Sequence, residues 1–250
     1  MDCEIAPRLK SAGSSWARSI ANCARAQLRP FKQAISNGIT EARFRSVYRM
    51  FRPFTMVPPE WYINNMRLAE RVRKAELQGC VLECGVWRGG MIAGLATLLG
   101  PDRDYFLFDS FEGLPPAQQV DGESALRWQA NAGALEYFDN CSASPEFATE
   151  AMRIAGARSF SLVKGWFSET VPKFKPPSPI ALLRLDGDWY ESTMVCLVHL
   201  FDEVAPGGIV ILDDYYTWDG CSRALHDFLS KRSAVERVCS LGNVCFLEKH

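Results

Sequence analysis

Much of the chemistry on which enzymes are commonly built is scarce in this chain of 250 residues. Histidine occurs three times. His199 falls within an apolar run at 195–201 and His226 is isolated on a helical stretch, so neither reads as a functional group. The nine cysteines are scattered, with no Cys-x-x-Cys and no Cys/His cluster of zinc spacing. A disulfide framework and a structural zinc site are therefore not expected, and a reducing cytoplasm suits the composition. Cys80 and Cys84 read as small core residues. No apolar run approaches a membrane span and no charged-then-apolar leader opens the chain, which disfavours spanning and export. The net charge of −1 gives no general attraction to nucleic acid. Neither G-x-G-x-x-G nor Gly-Lys-Ser/Thr occurs, which removes the dinucleotide fingerprint and the phosphate loop. Internal repeats and low-complexity tracts are absent too.

What is present suits one α/β domain with an appendage: 28.0 kDa, 48% apolar, enough for a sizeable core. The pattern turns on residues 81–90, Val-Leu-Glu-Cys-Gly-Val-Trp-Arg-Gly-Gly, where an apolar run ends in an acid and breaks into glycines before a new apolar stretch. That is a strand, a tight turn and a helix start. Glycines there allow positive φ and close approach of a ligand, and the opening amides of the helix point at whatever binds. Strands are predicted at 80–84, 105–108, 159–164, 180–185, 209–212, 235–239 and 244–247, and helices at 60–78, 90–99, 192–204 and 221–229. Ser144-Pro145-Glu146 should cap and launch a further helix to 154. Runs such as Ile209-Val210-Ile211-Leu212 are apolar on both faces, as buried parallel strands are. The short Leu241-Gly242-Asn243 link makes the last two strands an antiparallel hairpin. The expected fold is α/β and Rossmann-like, a seven-stranded and mostly parallel sheet with one antiparallel strand in an edge hairpin and helices on both faces.

Residues 1–52 differ from the remainder, with ten Lys/Arg against three acids and apolar residues at helical spacing. This basic amphipathic arm suits covering the domain or pairing with another subunit better than binding a membrane surface. The domain proper is placed at 53–250. Inside it, 111–157 is long for a connection and rich in aromatics, as a lid or substrate-binding insertion would be.

In an open α/β sheet the ligand lies beyond the carboxyl ends of the strands. Every acidic strand end then faces one crevice: Glu83, Asp109, Asp186 with Asp188, and Asp213 with Asp214. Asp109, one strand across from Glu83, stands where an acid accepts ribose hydroxyls; capping a turn with Ser110 is its plainer role. Asp186, Asp213 and Asp214 could share a cation if their strands are adjacent, because neighbouring strands lie about 4.8 Å apart. With no Lys or His to compensate them, such acids repel unless protonated or bound to a metal. Oxygen ligands favour Mg²⁺, then Mn²⁺ or Ca²⁺. Solvated turn caps are the alternative.

Six words in order carry a resemblance: Pro-Phe-Thr-Met-Val (53–57), Glu-Cys-Gly-Val-Trp-Arg-Gly-Gly (83–90), Phe-Asp-Ser-Phe-Glu-Gly-Leu-Pro (108–115), Val-Lys-Gly-Trp-Phe (163–167), Leu-Asp-Gly-Asp-Trp-Tyr-Glu-Ser-Thr (185–193) and Ile-Leu-Asp-Asp-Tyr (211–215). In these, from about Pro53 onward, the chain resembles the macrocin O-methyltransferase family, metal-dependent sugar O-methyltransferases within the class I S-adenosylmethionine-dependent group. The resemblance implies that Glu83, Gly85, Gly89 and Gly90 bed the methionine part of the cofactor under Thr55 and Met56. It implies Asp109 and Ser110 at the ribose, Gly165, Trp166 and Phe167 at the adenine, and Asp186, Asp213 and Asp214 on Mg²⁺. Met91 stands where the family usually has a small hydroxyl residue. Trp189 stands where the related catechol-type enzymes carry a lysine base.

A sugar hydroxyl held by Mg²⁺ becomes more acidic and needs a proton acceptor. Asp186 is the first expectation for that role and Asp188 the second. The implied partner is a glycosylated small molecule in natural-product or antibiotic biosynthesis, with a homodimer or higher homo-oligomer as the assembly. Competing readings are a catechol- or phenol-type O-methyltransferase and an inactive cofactor-binding scaffold.

Overall fold

The computed structural model describes residues 38–232 and 235–250. The chain divides between Phe44 and Arg45, and most of the basic arm expected over 1–52 lies outside the described residues. Residues 38–51 are helical (α1). Among the described residues no helix is long and apolar enough to cross a membrane.

From Arg45 onward, strands β1 (Cys80–Cys84), β2 (Asp104–Asp109), β3 (Ser159–Lys164), β4 (Ile180–Leu185), β5 (Val204–Leu212), β6 (Cys239–Leu241) and β7 (Val244–Glu248) form one sheet. Its order is β3-β2-β1-β4-β5-β7-β6. The first five strands pair in parallel, and β7 runs antiparallel to both β5 and β6. The reversed strand is therefore one in from the edge, and β6 covers it. That last strand is shorter than its predicted span of 235–239 and starts where that span ends.

Helices α2 (Pro59–Lys74), α3 (Gly90–Leu99), α7 (Tyr190–Leu200) and α8 (Asp219–Arg232) flank the sheet. The insertion contributes α4 (Gly122–Ala130) and α5 (Pro145–Ile154), and a short α6 (Phe167–Thr170) follows β3. Strands β1 and β4 are buried along their whole length, which explains their unbroken apolar patterns. Ser144 does precede α5, but its hydroxyl bonds the Glu146 carboxylate rather than a helix amide.

The glycines that open α3 serve packing. A Cβ on Gly85 would lie 1.8 Å from the Asp186 carbonyl oxygen, one on Gly89 2.8 Å from Ala148 of α5, and one on Gly90 2.6 Å from the Phe54 backbone. The turn after β1 is thus pressed against β4's exit loop, the insertion and the Pro-Phe-Thr-Met segment at once. One turn into α3, Gly94 makes room for the buried Tyr62 of α2, whose hydroxyl donates to the Gly90 carbonyl at 3.0 Å.

A Cβ at Gly94 would sit 1.8 Å from the Tyr62 hydroxyl oxygen, so Gly94→Ala should destabilise by about 1–3 kcal/mol through overpacking. Tyr62→Phe alone should cost about 1 kcal/mol for the lost hydrogen bond. Urea unfolding of the double variant should show less than the sum of the two losses; simple additivity would contradict this contact.

Candidate functional site

The register of three central strands brings charged side chains together on one face. Glu83 of β1 lies opposite Arg184 of β4, and Arg184 opposite Ile211 of β5. Side chains alternate along a strand, so Asp186, two residues past Arg184, and Asp213, two past Ile211, emerge on the same face. Arg184 is fully buried, forms an ion pair with Glu83, and has Nη1 2.7 Å from Asp186 Oδ2. Its Nη2 lies 2.8 Å from Asp213 Oδ2, a close ion pair whose angle falls short of a hydrogen bond. Asn65 of α2 completes the group, accepting from Arg184 Nε at 3.2 Å and donating to Asp213 Oδ1 at 3.2 Å. The acids were expected to meet without a compensating cation. Arg184 supplies one, hidden in the apolar run Leu182-Leu183-Arg184-Leu185, and its i, i+2 relation to Asp186 was the signal available.

One guanidinium faces three carboxylates there, and two more stand beyond it. Asp214 Oδ2 accepts the Asp188 backbone N–H at 3.0 Å, and Asp188 Oδ1 accepts the Trp218 indole N–H at 2.8 Å. Burial, reinforced by Asp188, Asp186 and Asp213, pushes the Asp214 carboxyl well above the usual range. Burial, with the Asp186 charge adding, raises Asp188 to about 8. Glu83 also rises to about 8 by burial, against the pull of Arg184. One of its oxygens, Oε2, is buried without a hydrogen bond among the described residues. Among the described residues no three carboxylates, imidazoles or thiols are disposed as they stand to ligate one ion. Asp186 and Asp213 are turned toward Arg184. A divalent cation nevertheless fits the donor chemistry, because the surplus of negative charge is carried by oxygen ligands alone.

A cavity of about 290 Å³ opens at the carboxyl ends of the strands. This is close to the lower end of ligand pockets, about 300 Å³. Of the residues expected to hold cofactor or metal, Met56, Gly85, Asp109, Ser110, Trp166, Phe167, Asp186, Asp213 and Asp214 line it, and so does Asp188, the second expectation for the proton acceptor. Thr55, Glu83, Gly89, Gly90 and Gly165 are not among its lining residues. Glu83 points into the Arg184 cluster, while Gly89 and Gly90 are taken up by the packing described above. Asp109 also works on the turn: Oδ2 accepts the N–H groups of Val86 and Trp87, each at 2.8 Å, and Oδ1 that of Phe111 at 2.7 Å. Ser110 accepts from Glu112 N and donates to Gly113 O. The capping role of both residues is therefore present beside their place on the cavity wall.

The turns after β1, β2 and β4 each carry a non-glycine residue in the left-handed region, Trp87 (φ 48), Phe111 (φ 57) and Asp188 (φ 57). Such conformations cost about 1–3 kcal/mol each and concentrate at functional sites. The insertion roofs the cavity with Leu114, Pro115, Trp128, Glu136, Phe138 and Cys141. Trp189 anchors that roof by donating its indole N–H to Pro115 O at 2.9 Å. Burial, with the charge of Asp188 adding, raises the Cys141 thiol far above its ordinary value, which leaves it a poor nucleophile.

Arg184→Met should destabilise the fold by about 3–5 kcal/mol, since it leaves carboxylates buried without their counter-charge. The sign with pH follows from Glu83. Its folded value near 8 lies above its ordinary 4.5, so its contribution to stability is lost as pH rises through that window. Removing the cation deepens the loss. Unfolding in chelator should therefore show a larger deficit for Arg184→Met at pH 8 than at pH 5; an equal deficit would contradict the charge argument.

Comparison with known proteins supplies the wider context. The model of the family described as macrocin O-methyltransferase (TylF) matches residues 33–247. The chain is 31% identical, over 78% of its length and 75% of the relative, to the 8-demethyl-8-(2,3-dimethoxy-alpha-L-rhamnosyl)-tetracenomycin-C 4'-O-methyltransferase of Streptomyces olivaceus. It is 28% identical, over 75% of its length and 74% of the relative, to the mycinamicin III 3''-O-methyltransferase of Micromonospora griseorubida. Among solved structures, the O-methyltransferase NovP superposes with a TM-score of 0.65 at 27% identity, covering 78% of this chain and 82% of that one. The calicheamicin methyltransferase CalS11 superposes at 0.60 with 22% identity, over 85% and 92% of the two chains, and so shares the fold. The order of the strands, the crevice at their carboxyl ends and these matches together make the chain an O-methyltransferase that belongs to the macrocin O-methyltransferase family.

Proposed function

We propose that the chain transfers a methyl group from S-adenosylmethionine to a sugar hydroxyl of a glycosylated natural product, with Mg²⁺ held by Asp186, Asp213 and Asp214. The observation that carries this reading is a single cavity bounded on one side by Trp166, Phe167 and Asp109 and on the other by Asp186, Asp188, Asp213 and Asp214. The relatives' activities, one named for a rhamnosyl tetracenomycin and one for a mycinamicin, support a sugar-bearing acceptor.

S-adenosylmethionine supplies an electrophilic methyl on a sulfonium, so the protein's part is alignment and exclusion of water. Trp166 and Phe167 offer flat faces to the adenine, and Gly85 and Met56 line the same cavity. Mg²⁺ would lower the pKa of the acceptor hydroxyl and fix its direction. Asp186 and Asp213 would share their carboxylates between Arg184 and the ion, while Asp214 has no cationic partner among the described residues. That division makes Asp188 the better proton acceptor. Asp186 is committed to a guanidinium, whereas Asp188 has one oxygen on Trp218 and its Oδ2 without a hydrogen bond among the described residues. The roof of the insertion, from Leu114 to Cys141, keeps water off the reacting groups.

The test joins calorimetry to turnover, using the rhamnosyl tetracenomycin acceptor of the Streptomyces olivaceus relative and mycinamicin III. S-adenosylmethionine should bind the purified chain. Turnover should collapse in chelator and return with Mg²⁺. Asp188→Asn should lower kcat by about 10²–10⁴, the usual worth of a positioned base, with cofactor affinity unchanged. Failure to bind the cofactor, or methyl transfer undiminished in chelator, would sink the reading.

A further inference from the structure

One side chain at the cavity touches the proposed proton acceptor without being a reacting group itself. Trp218, on the turn between β5 and α8, has its indole N–H 2.8 Å from Asp188 Oδ1. Its ring packs edge to face at 5.3 Å against Trp189 and at 6.0 Å against Trp128, which also lies 6.1 Å from Trp189. Each of the three indole nitrogens has its own acceptor. Trp189 donates to Pro115 O and Trp128 to Glu136 O, both backbone atoms of the insertion, and Trp218 alone donates to a carboxylate. Asp188 needs such a restraint. It sits at φ 57 on the exit loop of β4, where the backbone by itself is strained.

We infer that Trp218 is a positioning residue: its N–H pins Oδ1 of Asp188, so that Oδ2 stays turned to the cavity, and its ring is held in place by Trp128 of the insertion and by Trp189. The orientation of the proton acceptor then depends on the insertion being seated, because Trp128 comes from α4. Edge-to-face aromatic pairs attract beyond simple burial, so the three rings hold one another in place. The inference rests on Asp188 being the acceptor, and its test separates the two ideas.

Trp218→Phe keeps a ring in the cluster and removes the indole donor. The full chain is labelled with ¹⁵N-tryptophan, and the Trp218 indole resonance is identified by its loss in Trp218→Phe. Asp188→Asn should move that resonance upfield and leave those of Trp128 and Trp189 in place. An unmoved Trp218 signal overturns the inference. In turnover of the rhamnosyl tetracenomycin, Trp218→Phe should lower kcat at least tenfold, with acceptor KM and S-adenosylmethionine affinity within twofold of wild type. Full kcat in Trp218→Phe beside an inactive Asp188→Asn overturns the positioning role and leaves the acceptor role standing. An active Asp188→Asn overturns both. If the wild-type chain does not turn over that acceptor, the indole shift alone decides.

Discussion

A single buried guanidinium organises this site. Arg184 is the next-to-last residue of a strand that is otherwise apolar, opposite Glu83 on one neighbour and close to Asp213 at the tip of the other. An unpaired charge in that position would cost several kcal/mol, and so would the acids without it. The register of β1, β4 and β5 is consequently tied to electrostatics as well as to packing, because a slip of one residue in β4 would send Arg184 to the other face. The same compensation is incomplete. One positive charge stands among five carboxylates, and the ones farthest from it, Asp188 and Asp214, border the cavity.

Much of the scaffold was legible because its signals are local. Buried parallel strands leave apolar runs, and β1, β3 and β4 came out at their predicted bounds of 80–84, 159–164 and 180–185. The convergence of acidic strand tips follows from topology, and Leu185 and Leu212 are register partners, which sets Asp186 beside Asp213. What stayed hidden depends on contacts between distant segments. The glycines of the turn after β1 looked like room for a ligand, yet Gly89 and Gly90 make room for Ala148 and Phe54. Glu83 looked like a pocket residue, and strand alternation turned it to Arg184. Trp189 looked like a missing lysine, whereas it fastens the roof at Pro115.

The insertion is more than a cover. Residues 138–141 all have positive φ, and Asn140 ties that strap to the turn after β2, accepting from Leu114 N at 3.0 Å and donating to Leu114 O at 2.7 Å. The strap's Phe138 and Cys141, with Trp128 of α4, reach the cavity, whose opposite wall is made by strand tips. The insertion and the strand-tip acids thus border one cavity. Trp128 and Trp218 link the insertion to the strand-tip acid Asp188.

The central claim is that the charge left over around Arg184 makes the place for one divalent ion. Diffraction at the manganese edge from crystals of the full chain grown with Mn²⁺ tests it most directly. The account predicts one strong anomalous peak per chain, within coordination distance of Asp186, Asp213 and Asp214. A cavity with no peak, or a peak bound elsewhere, would contradict it.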